Sequence, residues 1–395
     1  MQSISVLAFT SSRADYSPLR PVLSALADAT DFELCVVAGG SHCSSSRASI
    51  SAMLQADGIS DAEFMPYLLV GDDAMSITTS VGIGLSGFGA ILQRRHPDFV
   101  LILGDRYDLF VPALSAAFAR IPVVHMHGGE RTEGAIDDTV RHAITKLSHV
   151  HLVAMSQYAQ TVSALGEEDW RIHIVGAPGL DTVMHLVDIP IHTLENQIGL
   201  SLDKPTLLCT YHPPTASGSF DQELQMMLNA IEDSRLQVVF TDCGADVGSE
   251  TIRLGLADYV SKHEGSAAYI DSLGAEGYLS LARHCVAVLG NSSSGIIEVP
   301  SLGVPSINIG SRQRGRVQPG SVIDCDPSSQ EAITRAIERA RTGDWMRVAS
   351  NPYGDGNADK YVLAALRWAA GVPRERLLHK LVVGEVNQNE WHRYF

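Results

Sequence analysis

What is scarce in this chain narrows its reading first. No apolar run reaches the ~20 residues that a membrane-spanning helix needs, so no membrane partner is expected. The opening segment, MQSISVLAFT, lacks the basic start and cleavage site of a secretory signal and reads as a first strand. Positive charge is in short supply: 29 Lys and Arg stand against 45 Asp and Glu, a net charge of −16. Such a surface repels nucleic acid and anionic lipid, while a small anionic ligand senses only local charge and stays admissible. The six cysteines (Cys35, Cys43, Cys209, Cys243, Cys285 and Cys325) form no CxxC pair, and several sit in apolar runs. Reduced, buried thiols in a cytoplasmic protein fit this usage. No internal repeat is visible.

What is present reads as two α/β halves. At 395 residues the chain exceeds what one core usually supports. Strand-length apolar runs fall at Ser3–Thr10, Phe32–Ala38, Phe99–Leu103, Ile121–Met126, Val150–Ala154 and Ile172–Val175. After Gly176-Ala177-Pro178-Gly179 comes a stretch to Pro205 with no sustained strand, so the domain boundary is placed near 180. A second series follows at Thr206–Thr210, Gln237–Thr241, Cys285–Leu289 and Ser306–Ile309. Strands alternating with helical spacing make parallel sheets, so two Rossmann-like doubly wound domains facing a cleft are expected. They span 1–180 and 181–365; a C-terminal tail, 366–395, with the helical segment Lys360–Ala370 beside it, packs back on one half.

Ligands of open parallel sheets sit beyond the carboxyl ends of the strands, and the polar clusters lie there. The Phe99–Leu103 run ends in Gly104-Asp105-Arg106, and Ile121–Met126 ends in His127-Gly128-Gly129-Glu130, with helical spacing resuming near Asp137. Asp105, Arg106, His127, Glu130, Asp137 and Arg141 are therefore expected to converge. In the second half, Gly290-Asn291-Ser292-Ser293-Ser294-Gly295 follows a strand, and its small residues and hydroxyls suit an anion, with Arg312 or Arg316 adding charge. Its GxSxxG spacing is not the GxSxG of a serine-hydrolase elbow. His212 ends another strand before two prolines, as a general acid, a diphosphate contact or simply a capped loop histidine. Glu298 is either the far half of a capping box or a hydroxyl acceptor. Gly82-Ile-Gly84-Leu-Ser-Gly87 spells a dinucleotide fingerprint, but no strand leads into it, and Val81, Leu85, Phe88 and Leu92 recur at helical spacing, so a packed helix is the reading. His125 and His127 would share one side of a strand, yet no metal signature surrounds them, and a metal-free site is expected.

These residues resemble a known family, the hydrolysing UDP-N-acetylglucosamine 2-epimerases of sialic and related nonulosonic acid synthesis. The matching pieces are SRADY (12–16), LGDRYD (103–108), HMHGGE (125–130), IDDTVRHAITKLSH (136–149), VGAPGLD (175–181), HP (212–213), GADVGS (244–249) and GNSSSGIIEVPSLGVPSINIGSRQRGR (290–316). The resemblance implies a glycosyltransferase-B-like fold, with UDP held mainly by the C-terminal domain, and a reaction without cofactor. C2 deprotonation, anti elimination of UDP and hydration of the glycal give N-acetylmannosamine. It implies catalytic roles for Asp105, Glu130, Asp137, His212 and His127. It implies UDP-sugar contacts by Arg13, Asp15, Arg106, Arg141, Asp246, Ser292, Ser293, Ser294, Gly295, Glu298 and Arg312. A homo-oligomer, dimer or tetramer, is implied as well. This chain departs from many relatives in His127, where they carry Glu, and in Gly244, where they carry Asn, so the division of acid–base work stays open. Other readings are the same reaction on a UDP-linked 2,4-diacetamido-trideoxyhexose, a non-hydrolysing epimerase, a retaining glycosyltransferase of the same fold, or an inactive nucleotide-sugar binder. The glycosyltransferases often carry a second glutamate eight residues on, and that position here is Ser306.

Overall fold

The computed structural model describes residues 3–43, 47–69 (47–49 by backbone only), 71, 73–132, 136–213, 220–243, 248–347 and 350–381. The chain divides into two compact units: 1–130, 137–177 and 357–395 form the first, and 131–136 with 178–356 the second.

Unit 1 is built on a seven-stranded parallel sheet in the order β3-β2-β1-β4-β5-β6-β7. Its strands are β1 (Ile4–Thr10), β2 (Phe32–Ala38), β3 (Ala62–Phe64), β4 (Phe99–Leu103), β5 (Val123–Met126), β6 (Val150–Val153) and β7 (Ile172–Ile174). The intervening helices are α1 (Arg13–Asp28), α2 (Arg47–Ala56), α3 (Ala74–Arg95), α4 (Phe110–Ala119), α5 (Ile136–Leu147) and α6 (Ser156–Ala164). Both faces are covered, which is why strands such as FVLIL in β4 are apolar at every position and buried throughout. Leu19, Leu23 and Leu26 of α1 pack on one face, and Phe88, Ile91 and Leu92 of α3 on the other.

Unit 2 repeats the plan with a six-stranded parallel sheet, β10-β9-β8-β11-β12-β13. Its strands are β8 (Thr206–Thr210), β9 (Gln237–Thr241), β10 (Ala267–Ile270), β11 (Ala287–Gly290), β12 (Ser306–Ile309) and β13 (Val322–Cys325). Its helices are α7 (Gly179–Met184), α8 (Ile191–Ile198), α9 (Asp221–Ser234), α10 (Ser249–Lys262), α11 (Gly274–His284), α12 (Ser294–Ile297) and α13 (Gln330–Thr342). The last helices, α14 (Ala358–Ala370) and α15 (Arg374–Leu378), return to unit 1.

Two expectations change. The units exchange chain after Ala177, where the boundary was placed near 180, and again at Asn357 rather than at 365. The cause is α14, whose Val362, Leu363, Leu366 and Ala369 are buried in the same core as the α1 leucines. Helix α3 is long and apolar enough to cross a membrane by length and composition, so the expected absence of such a run does not hold. The six-residue stretch from Gly82 to Gly87 lies inside this helix, away from any strand end.

Candidate functional site

In unit 1 the chain order reverses between β1 and β4, the position beyond whose carboxyl ends open α/β sheets bind ligands. Gly104, at φ +108, turns the chain sharply out of β4 and presents Asp105. The turn is fixed from the next strand, where His125 Nε2 donates to the Gly104 carbonyl at 2.8 Å. Burial pushes the His125 imidazole down to about 3, so it acts as a neutral donor. Arg141 of α5 is fully buried. Its Nη1 donates to the Glu130 carbonyl at 2.7 Å and to Asp138 Oδ1 at 2.9 Å, while Nη2 pairs with Asp105 Oδ2. One guanidinium thus ties together the end of β4, the loop after β5 and the first turn of α5. Asp137, half-buried, stands beside Asp138 on that turn.

Glu130 is buried, and its Oε1 pairs with His127 Nδ1. β5 ends at Met126, and His127 takes a left-handed φ of +65, unusual for a non-glycine residue. His125 and His127 therefore do not share a strand face: one braces Gly104 and the other engages Glu130.

Two residues depart from the expected set, and three are added to it. Arg141, expected to touch substrate, is an internal clamp. Asp15, also expected there, accepts the Ser11 and Ser12 amides and the Ser12 hydroxyl at 2.6–2.7 Å, so its carboxylate closes the loop after β1 as the acidic half of a capping box. Asp108 is buried, accepts the Tyr67 hydroxyl at 2.8 Å and lies 3.5 Å from Arg106 Nε. Burial raises its carboxyl. Arg13 is exposed at the start of α1. His42, 3.0 Å from the Thr10 hydroxyl and held down by burial, completes the polar groups at the β1 end. Asp108 lay inside the LGDRYD stretch, whereas Tyr67 and His42 carry no pattern that marks them.

In unit 2 the corresponding reversal falls between β8 and β11. Gly290 is required there: at φ +135, a Cβ on it would lie 1.9 Å from the Thr210 carbonyl oxygen. Asn291, 1% exposed, grips the backbone of His212 on both sides, accepting its amide at 2.7 Å and donating to its carbonyl at 2.8 Å. His212 Nδ1 lies 2.7 Å from the Cys243 carbonyl. A carbonyl only accepts, so Nδ1 carries the proton. Ser292, Ser293 and Ser294 are half-buried around the start of α12, and Gly295 is buried. Arg312 Nη1 and Gln313 Nε2 both donate to the Asn291 carbonyl, at 3.1 and 2.9 Å. Glu298, just past α12, lies against Gly179, where a Cβ would come within 2.2 Å of its Oε1. Asp246 and Gly244 fall outside the described residues.

A family model described as UDP-N-acetylglucosamine 2-epimerase matches residues 24–367. Polysialic acid biosynthesis protein P7 of Escherichia coli is 33% identical over 359 residues, covering 89% of this chain and 91% of that protein. UDP-N,N'-diacetylbacillosamine 2-epimerase (hydrolyzing) of Legionella pneumophila is 33% identical over 356 residues, covering 90% and 93%. In fold, the crystal structure of the Neisseria meningitidis UDP-GlcNAc 2-epimerase bound to UDP-GlcNAc is similar at a TM-score of 0.80 and 19% identity, covering 92% of this chain and 100% of that one. Two Rossmann-like domains of glycosyltransferase-B type and a family match over most of its length lead to one conclusion: the chain belongs to the UDP-N-acetylglucosamine 2-epimerase family.

Proposed function

We propose that the chain is a hydrolysing UDP-N-acetylglucosamine 2-epimerase of the cytoplasm, a homo-oligomer that converts UDP-N-acetylglucosamine and water to N-acetylmannosamine and UDP. The observation that carries the reading is the grouping of Asp105, Asp138 and the Glu130 loop around the buried Arg141, with His127 on the Glu130 carboxylate. A C2 proton beside an acetamido group is weakly acidic, so its removal must be concerted with departure of the leaving group. Carboxylates of this cluster, Glu130 with its bonded His127 and Asp105 with Asp137, are the candidates for taking that proton and returning one to the opposite face. The C2–H electrons form the C1–C2 double bond as the C1–O bond to UDP breaks. Water then adds at C1 as C2 is protonated.

UDP leaves well only where its developing charge meets preorganised donors. We assign that task to the Ser292–Ser294 loop, Arg312, Arg13 and His212. The Nδ1–H bond to the Cys243 carbonyl fixes the orientation of the His212 ring. Glu298 is assigned to ribose hydroxyls. A second reading, the same chemistry on a UDP-linked 2,4-diacetamido-trideoxyhexose, is favoured by the Legionella relative.

Proton NMR of the protein with UDP-N-acetylglucosamine in deuterated buffer tests the proposal. The expected products are free UDP and N-acetylmannosamine deuterated at C2. Accumulation of UDP-N-acetylmannosamine refutes hydrolysis. Turnover of only the 2,4-diacetamido sugar nucleotide keeps the mechanism and replaces the substrate.

A further inference from the structure

Two neighbouring residues at the end of β4 are held from different sides. Asp105 is bonded to Arg141 of α5. Arg106 instead faces Asp108, with its Nε 3.5 Å from Oδ2. Asp108 lies in the short turn Tyr107–Leu109 that leads into α4, and it is 3% exposed. Its Oδ1 accepts the hydroxyl of Tyr67 at 2.8 Å, and Tyr67 is buried as well. A file of three polar groups, Tyr67 to Asp108 to Arg106, thus runs from the interior of unit 1 to the half-buried guanidinium beside Asp105.

The tyrosine that starts the file has its place made for it. Tyr67 follows β3, at one edge of the sheet, yet its hydroxyl reaches the end of β4, three strands away. Its ring fills space that two glycines leave. A Cβ on Gly39, just past β2, would lie 2.8 Å from Tyr67 Cε1, and one on Gly84 of α3 would lie 3.3 Å from Cδ2. With the ring fixed, the phenol is a preorganised donor to a carboxylate that can only accept. Packing does not account for this arrangement. A buried, bonded carboxylate stabilises a core no better than apolar residues of the same volume, and burial raises the Asp108 carboxyl while the Arg106 charge lowers it. An acidic residue ahead of a helix does suit the helix dipole, but an exposed one does so without desolvation and without a tyrosine from three strands away. Asp15, also buried at this end of the sheet, has its oxygens on Ser11 and Ser12. Asp108 is the carboxylate set against Arg106.

We infer that Asp108, oriented by Tyr67, is a positioning residue that fixes the Arg106 guanidinium at the carboxyl end of β4 for the diphosphate of a bound nucleotide sugar. The identity of that anion rests on the nucleotide-sugar reading above. Neither Tyr67 nor Asp108 touches the substrate. Their contribution is preorganisation: an arginine free to move loses side-chain entropy when it meets an anion, and one already held by a buried partner loses less. The sign separates this from a simple field effect. Asp108 carries a negative charge that opposes a diphosphate, so through field alone its removal would tighten binding; through orientation its removal weakens it. Tyr67→Phe changes no charge and reports orientation alone.

The experiment is titration calorimetry of UDP with the full chain and with Tyr67→Phe, Asp108→Asn, Arg106→Gln and the double variant Asp108→Asn, Arg106→Gln. The dissociation constant is expected to rise about tenfold for Asp108→Asn and for Arg106→Gln, as for a lost bond to a charged group, and about threefold for Tyr67→Phe. The double variant should match Arg106→Gln within about twofold, because a residue that acts through Arg106 has no effect without it. kcat/KM for the nucleotide sugar should fall in the same order. Phe keeps the ring that the glycines admit, so if Asp108→Asn fails to fold, Tyr67→Phe combined with Arg106→Gln completes the same cycle. UDP affinity that is unchanged or tighter in Tyr67→Phe and Asp108→Asn, or losses that multiply in the double variant, overturns the inference and leaves Asp108 a support for α4. A wild type without measurable affinity for UDP overturns it too, since Arg106 then meets no such anion. A wild type that binds UDP but turns over no nucleotide sugar refutes the proposed activity, and the binding cycle still decides the inference.

Discussion

Replacing Glu167 by Gln tests how the C-terminal segment is held on unit 1. The Glu167 side chain is 1% exposed and collects three partners: Lys146 Nζ at 2.6 Å, Lys380 Nζ at 2.7 Å and His151 Nε2 at 2.9 Å. Lys380 also donates to the carbonyls of Lys146 at 2.9 Å and Ser148 at 2.5 Å, so it fastens the segment after α15 to the connection between α5 and β6. Burial would raise the Glu167 carboxyl, but the bonded His151 and the two lysines more than offset it, and the group is held down to about 2 against an ordinary 4.5. Burial pushes Lys380 down to about 8. Gln keeps the shape and removes the charge, leaving a buried ammonium without its counter-ion. Breaking such a pair costs about 3–5 kcal/mol. The exposed Lys146 adds little. The carboxyl shift gives an order of about 3 kcal/mol by linkage, in agreement. For a unit of this size each kcal/mol lowers the melting temperature by about 2–4 °C, so the variant should melt roughly 10 °C lower at neutral pH in calorimetry. Amides of 374–381 should lose hydrogen-exchange protection with it. The sign with pH follows from a depressed acid: the contribution is complete above the ordinary value, near 4.5, and is lost as pH falls toward 2. Wild type and variant should therefore converge in acid. A loss under about 2 °C, or a gap that persists at low pH, would refute the reasoning.

Three further substitutions probe the site. Arg141→Lys keeps the charge but cannot reach Asp105, Asp138 and the Glu130 carbonyl together, so kcat should fall at least ~100-fold with KM little changed; steady-state UDP release reads this out. Asn291→Ala leaves the amide and carbonyl of His212 without their side-chain partner, about 1–3 kcal/mol for each buried group, and should reduce both stability and kcat, measured by calorimetry and turnover. Gly179→Ala displaces the flexible Glu298 carboxylate rather than the backbone. UDP affinity by titration calorimetry should drop several-fold while the melting temperature barely moves. Unchanged affinity would remove Glu298 from the nucleotide site.

Much of this was legible in the residues, and the exceptions share a cause. β4, β8 and β9 coincide with apolar runs because strands covered on both faces are mostly apolar, with polar residues only at their ends. The strands that escaped, β3, β10 and β13, are three of the four sheet edges; they are three or four residues long and carry Glu63, Tyr269 and Asp324. An edge strand has one neighbour and a partly wet face, so its run is short and mixed. The site divides along a similar line. The placement of Asp105, Glu130 and His212 beyond strand ends could be read from the apolar runs that precede them, and strand ends in a parallel sheet are where ligands go. What residue type at a strand end does not reveal is which polar group would meet a ligand and which holds another group in place. Arg141 and Arg312 both looked like ligands for an anion, yet the first is fully buried and divided among partners up to 36 residues away, while the second is half-buried beside the serine loop. Asn291, read as one more small loop residue, grips a histidine 79 residues earlier. Residues that hold the site in place must be buried and fully bonded, since an unsatisfied buried polar group is costly. Residues that bind must keep some bonding capacity exposed. That difference is set by long-range contacts, and it is the reason Arg141→Lys should change kcat whereas Gly179→Ala, acting on Glu298, should change affinity.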